Sequence, residues 1–268
     1  MVRVGLVGCG TIGSRLALAL QRNYRHLARI TALHDLDRAH ALRLRQRLRP
    51  HPPVTSLKTL IQRSDVVLEA ASASIAAEVA ARSLRAHRDV LVMSVGGLLR
   101  DASWRGALRR SRGTLHIPSG ALAGLDGIKA MAVGRLRRVT LTTRKPPSTL
   151  ASAPGMARRR LRLGQLTRPV VVFEGSPRDV VRAFPQNTNV AAALTLAAGV
   201  SASRPRVRVV ADPAIRRNIH EVEVEGDCGR IQCRVESCPS ANPKTSELAV
   251  RSAIVTLGRL FDRIQIGT

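Results

Sequence analysis

The sequence predicts an α/β fold: a doubly wound parallel sheet, followed by a second, α+β domain built on a mixed sheet. Three observations carry the prediction. Short apolar runs alternate with helical patterns from Val2 to Ile117, joined by short links, the order that gives parallel strands covered by helices. The first of these runs ends in Gly8-Cys9-Gly10-Thr11-Ile12-Gly13, a glycine turn that opens a helix. After Ile117 the pattern changes to alternating strands such as Ile219 to Glu225, which read as antiparallel or mixed pairing. The expected boundaries are 1–117 for the first domain, 118–239 for the second, and 240–268 for a terminal helix that returns to the first.

Taken in order, Val2 to Val7 reads as a buried strand, and the helix after the glycines runs to about Arg22. The G-x-G-x-x-G between them is the dinucleotide fingerprint in its required context. Gly8 permits the tight turn, Gly10 lets backbone approach a pyrophosphate, and Gly13 lets helix and strand pack closely. The free N–H groups of Thr11 and Ile12 at the helix start face the phosphate charge. A second strand, Ile30 to Leu33, ends at Asp35, 22 residues beyond Gly13, close to the spacing of the acid that binds a ribose diol. This is the Rossmann arrangement, and NAD or NADP is the expected cofactor. Asp35 disfavours a 2′-phosphate, while Arg38 partly offsets that repulsion. Asp37 to Leu48 is helical until Pro50 stops it, and Ser56 caps a short helix to Gln62. The strands Asp65 to Ala71 and Asp89 to Ser94 flank a helix over Ser74 to His87. A helix over Ala102 to Arg112 and a strand over Thr114 to Ile117 follow. Ligands of such sheets lie outside the carboxyl ends of the strands, so Ala71, Ser72 and Ser94 are expected beside the nicotinamide half.

The net charge of +26 suggests nucleic acid, but its distribution does not. The arginines are scattered along every helix, and the aromatics are only Tyr24, Trp104, Phe173, Phe184 and Phe261, too dispersed for a base-stacking platform. A solvated arginine-rich surface is expected, with no specific nucleic-acid partner. Lysine occurs only at 58, 129, 145 and 244, so a lysine kept where arginine is the habit marks a place arginine does not fill. No apolar run is long enough to span a membrane. The first strand begins too early to leave room for a signal peptide, and a cytoplasmic location is expected. Cys228-x4-Cys233-x4-Cys238 matches no common zinc spacing, so no metal is expected and reduced thiols are.

In the second domain, Pro118 to Gly127 is a small-residue stretch that leads into a helix to about Val133. Arg138 to Thr143 is a strand that ends at Arg144-Lys145-Pro146-Pro147. Residues 148–168 are expected to form an exposed, mobile loop with one short helix. Val170 to Glu174 is a strand, and Asp179 to Ala183 a short helix. Phe184-Pro185-Gln186-Asn187-Thr188-Asn189 precedes an apolar helix to about Ala198, where the amides either cap the helix or bind a ligand. Arg206 to Ala211 is a strand, Ile219 to Glu225 pairs with Cys228 to Glu236, and a last helix covers Glu247 to Leu260. Of the seven histidines, five lie in polar helical contexts and His116 in a structural strand. His220 starts a strand between Asn218 and Glu221 and is the candidate proton carrier. The alternative is that it only holds the strand. Glu221 points to the opposite face, so the group that orients His220 must come from another element.

The blocks GLVGCGTIG, IPSGALAGLDGIKA, TTRKPP, FPQNTNVAAALTLAAG, ADP, NIHEVEVEG and PSANPKTSELA, in this order, resemble the L-aspartate dehydrogenases along nearly the whole chain. The resemblance implies oxidation of L-aspartate with NAD or NADP, with iminosuccinate as first product. That product hydrolyses to oxaloacetate and ammonia or feeds pyridine nucleotide biosynthesis. It also implies a homodimer, Ala121 and Asn189 at the cofactor, and His220 as the catalytic residue. A dicarboxylate needs cationic partners, for which Lys145 and Lys244 are the candidates, with Asn187 as a further substrate contact; the alternative is that the two lysines form structural salt bridges. The arginine-rich 156–168 segment departs from the family pattern. The alternatives are another imine-forming or imine-reducing dehydrogenase of this fold, or a non-catalytic NAD-sensing or nucleic-acid-binding protein.

Overall fold

The structure, a computed structural model, describes residues 1–268 except 158–160, 185–187, 200–204, 241–244, 265 and 268. Contacts between Cα atoms divide the chain into two units, Met1–Pro118 with Ala249–Gln265, and Ser119–Leu248 with Ile266–Thr268.

The first unit holds β1 (Val2–Val7), α1 (Thr11–Asn23), β2 (Ala28–His34), α2 (Arg38–Arg47), α3 (Leu57–Gln62), β3 (Val66–Glu69), α4 (Ala76–Arg85), β4 (Asp89–Val92), α5 (Gly97–Arg100), α6 (Ser103–Arg110) and β5 (Leu115–His116). The strands pair in the order β2-β1-β3-β4-β5, all parallel. The central strands are apolar because helices cover both faces of such a sheet: all four residues of β3 are buried. In α4 the residues Ala76, Val79, Ala80 and Leu84 recur at helical spacing and are buried, while Glu78, Arg82 and Arg85 face out. Local chemistry sets the helix starts. The Asp37 carboxylate accepts the Ala39 N–H, and the Ser56 hydroxyl accepts the Thr59 N–H. The short helix α5 lies in the link between β4 and α6, to which the sequence assigns no element.

The second unit contains α7 (Leu125–Met131), β6 (Leu136–Lys145), β7 (Val170–Gly175), α8 (Pro177–Ala183), α9 (Thr188–Ala197), β8 (Arg206–Ala211), β9 (Asn218–Gly226) and β10 (Gly229–Ser237). Its sheet runs β10-β9-β6-β8-β7, with β6 and β8 parallel and the other pairs antiparallel. The parallel Rossmann sheet and the mixed second sheet are as the sequence predicts. Alternation along the strands splits the residues between two faces. Val139, Leu141, Val209, Val222 and Val224 point into a core with Ile128 of α7, Val180 of α8 and Leu194 of α9. Each such side chain contributes about 1.5–3 kcal/mol by leaving water. The other face carries charges. Arg138 bonds Glu223 and Glu225, Arg230 bonds Glu223, Arg144 and Arg234 bond Glu221, and Arg206 and Arg208 bond Glu174.

The segment 148–168 corrects an expectation. It forms three 3-10 turns, Pro147–Leu150, Pro154–Met156 and Leu163–Gln165. Leu150 and Met156 are buried in the core, with Leu161, Leu163 and Leu166 packed against it. One apolar side chain every few residues anchors a stretch whose prolines and arginines suggested an exposed loop. The last helix, α10 (Glu247–Gly258), contributes Ala253 and Leu257 to the first unit's core beside Leu16 and Leu20 of α1. No helix among the described residues is long and apolar enough to cross a membrane.

Candidate active site

In the first unit the strand order reverses between β1 and β3, and the crevice at such a switch point is where doubly wound sheets take their ligands. The glycine turn lies there. Gly8 has φ +90°, and a Cβ on it would lie 2.6 Å from the carbonyl of Ala70 and the Cα of Ala71, so the turns after β1 and β3 meet at a point that only glycine permits. A Cβ on Gly13 would collide with the Gly8 carbonyl, while one on Gly10 would meet nothing within 4 Å. Protein packing therefore accounts for two of the glycines and leaves space beside the third. Gly10 is the N-cap of α1 without a side-chain cap, and the first turn holds no acid. Thr11 is exposed and Ile12 half-buried at that helix start. These features suit a diphosphate.

The Asp35 carboxylate, just past β2, accepts the Cys9 N–H at 2.6 Å and the Asp37 N–H at 2.9 Å, fastening the glycine turn to the neighbouring strand end. Burial, then the charge of Asp35, pushes the Cys9 thiol up to about 12, so Cys9 stays a packed thiol. Ala71 and Ser72 are exposed after β3, and Ser94 is half-buried after β4. One side chain joins these turns: Glu69, fully buried, accepts the Ala71 N–H and the Ser94 N–H, each at 2.9 Å.

In the second unit, β6 and β9 pair so that Thr143 lies opposite His220. Thr143 Oγ1 and His220 Nδ1 share a hydrogen bond of 3.0 Å, and both residues are buried. Among the described residues the ring makes no hydrogen bond at Nε2. Lys145 is two residues along β6 and on the same face, 6% exposed, with no ion pair or hydrogen bond to its ammonium among the described residues. Burial lowers the Lys145 pKa to about 8. Burial, and next the charge of Lys145, lowers that of His220 to about 4, so the imidazole is neutral at pH 7. Glu221 faces the opposite side, bonded to Arg144 and Arg234, as its alternation requires. Arg144 also pairs with Asp212 at 3.5 Å, which leaves Lys145 as the uncompensated cation on the His220 face among the described residues.

Ala121 is 4% exposed, its side chain part of the second unit's core, and Asn189 is exposed in the first turn of α9. Asn187 and Lys244 lie outside the described residues. Among the described residues no three His, Cys, Asp or Glu side chains group as metal ligands, and all four cysteines are free.

Residues 8–115 match the NAD-binding domain family of homoserine dehydrogenase, and residues 126–260 match the C-terminal domain family of aspartate dehydrogenase. The L-aspartate dehydrogenase of Methanosarcina barkeri is 41% identical over 100% of both chains. That of Nitrosopumilus maritimus is 36% identical, again over 100% of both. This chain belongs to the L-aspartate dehydrogenase family. The crystal structure of aspartate dehydrogenase from Thermotoga maritima is similar along 100% of both chains, with 25% identity and a TM-score of 0.73. A homoserine dehydrogenase from Thiobacillus denitrificans shares the fold, with 13% identity over 98% of this chain and 76% of its own and a TM-score of 0.61. As an L-aspartate dehydrogenase family member the chain carries a domain for a pyridine nucleotide, and the glycine turn, the uncapped α1 start and Asp35 are the residues that fit one. Sequence reasoning missed Thr143 and Glu69. An acid inside the otherwise apolar run Val66-Val67-Leu68-Glu69 is a signal that singles out Glu69. Thr143 becomes visible only with the register of β6 against β9.

Proposed function

We propose that this chain oxidises L-aspartate to iminosuccinate, using NAD in preference to NADP. The observation that carries the reading is the buried trio Thr143, His220 and Lys145, a neutral base beside an uncompensated cation. When bound, the nicotinamide accepts the hydride from the substrate α-carbon. The chain's own residues do the rest. Lys145 pairs with a substrate carboxylate, a contact that a dry site makes strong. Thr143 holds Nδ1 of His220 and so fixes the ring. His220 Nε2 takes the proton from the α-ammonium, since the free amine is the form that gives up hydride; once that proton has passed to solvent, the neutral ring draws one from the water that attacks the imine and returns it to the departing ammonia. The product is then oxaloacetate and ammonia, or iminosuccinate released to an enzyme of pyridine nucleotide biosynthesis. Asn187 and Lys244 remain the proposed further substrate contacts, and Ala121 and Asn189 the proposed second-unit contacts to the cofactor. Family resemblance supports a homodimer, which sedimentation velocity tests.

A spectrophotometric screen of amino acids with NAD and NADP tests the reading. L-aspartate with NAD is expected to give the highest kcat/KM, far above L-alanine. A higher value with another amino acid overturns the substrate, and a higher value with NADP overturns the preference. On the same preparation, His220→Ala is expected to lower kcat by about 10² to 10⁴ with NADH affinity unchanged. A normal kcat, or a loss that tracks the thermal midpoint, makes His220 a strand-holding residue only.

A further inference from the structure

We propose that Glu69 is a positioning residue for the cofactor, whose buried carboxylate holds two strand-end turns together and favours the oxidised, cationic nicotinamide over the reduced, neutral one. The proposal rests on the reading that Ala71, Ser72 and Ser94 border the nicotinamide half, and it names the group behind those turns.

Glu69 is the last residue of β3, fully buried in a strand that is otherwise apolar. Its two oxygens are divided between two connections: Oε1 accepts the Ala71 N–H after β3, and Oε2 accepts the Ser94 N–H after β4. The backbone makes the same join, since the Glu69 carbonyl accepts the Met93 N–H at 2.9 Å. The side chain thus sets the spacing of two turns that the sheet ladder alone leaves free beyond Met93.

Burial raises the Glu69 pKa, while N–H donors from Ser94, Ala71 and Ser72 and the Ser94 side chain oppose that rise. The two bonds across the turns come from backbone N–H groups, which can only donate and so favour the ionised form. No arginine or lysine pairs with Glu69 among the described residues, in a chain of net charge +26. A carboxylate held dry without a counter-ion interacts strongly with any cation that arrives. The oxidised nicotinamide ring is a cation and the reduced ring is not, so a fixed charge behind the turns discriminates between them without reorganising.

The test is calorimetric binding of NAD+, NADH and ADP-ribose, which lacks the nicotinamide, to the wild-type chain, to Glu69→Gln and to Ser94→Trp. In Glu69→Gln the amide is neutral and turns an NH2 group towards one backbone N–H. NAD+ is expected to bind about tenfold or more weakly, through the loss of a fixed charge acting in a low-dielectric site. NADH should weaken less, and ADP-ribose should be unchanged. Equal weakening of NAD+ and NADH overturns the charge discrimination. Equal weakening of all three ligands makes Glu69 a purely structural residue. Ser94→Trp reports on the underlying reading: if it leaves NAD+ binding untouched, the nicotinamide half lies elsewhere and the proposal falls with that reading. If it blocks NAD+ while Glu69→Gln changes nothing, only the proposal falls. Should Glu69→Gln not fold, Glu69→Asp carries the test. It keeps the charge but is too short to reach both turns, so NAD+ and NADH should weaken several-fold against an unchanged ADP-ribose. Unchanged binding of all three overturns the positioning role.

Discussion

An ammonium buried to 6% exposure, with no anion bonded to it among the described residues, costs the fold free energy that a ligand can return. The Lys145 pKa of about 8 measures that cost: against an ordinary 10.5, it amounts to about 3 kcal/mol at neutral pH. Lys145→Met is therefore expected to raise the thermal midpoint while it raises KM for aspartate, opposite signs that calorimetry and steady-state kinetics read on one preparation. A lower midpoint means that an unseen partner already satisfies the lysine. Above pH 8 the free lysine loses its charge, so KM for aspartate in the wild-type chain should climb there. His220 acts at the acid end. Its pKa is about 4 in the folded chain and near 6.5 when unfolded. Between those values the unfolded chain binds a proton that the folded chain refuses, so stability is lost as pH falls through that window, by about 3 kcal/mol. Urea melts of the wild-type chain and His220→Gln from pH 7 to 4 should diverge accordingly; parallel curves contradict the burial of a neutral imidazole.

The elements divide into those legible from sequence and those that were not. The glycine turn was legible because its signal is local: strand, three glycines and helix lie within a few residues, and the acid of Asp35 follows at a fixed spacing. The structure gives Asp35 a task the spacing did not suggest, since its carboxylate already holds the Cys9 N–H. Asp35→Ala should then have two effects. The preference for NAD over NADP narrows as repulsion of the 2′-phosphate is lost, and affinity for both falls because the turn is no longer fastened. Titration with each nucleotide separates the effects: a gain for NADP with no loss for NAD contradicts the fastening. The pairing of Thr143 with His220 was not legible, because alternation says which face a residue takes and not which neighbour it meets. The turns in 148–168 were obscured for a related reason. Leu150 and Met156 are isolated apolar residues among prolines and arginines, and no periodicity marks them as buried.

Across the whole molecule the charges outnumber what any site uses. Salt bridges this exposed contribute about 0–1 kcal/mol each, so the arginine–glutamate face of the second sheet adds little to stability. It has another consequence. The core face of β9 repeats every two residues, so a slip of two against β6 leaves valines facing the core and glutamates facing solvent. Such a slip separates Thr143 from His220. What tells the correct pairing from the slipped one is the spacing of Arg138, held by Glu223 and Glu225, and Arg144, held by Glu221, together with the turn after β9, where the Asp227 carboxylate accepts the Arg135 N–H at 3.0 Å. The double variant Arg138→Gln with Arg144→Gln, refolded from denaturant, should regain full circular dichroism but a reduced fraction of competent sites when these are counted by single-turnover titration. A full count would mean that the turn alone sets the alignment. The weak bridges then act as proofreading, discarding a misthreaded product that ordinary measures of folding would pass as native.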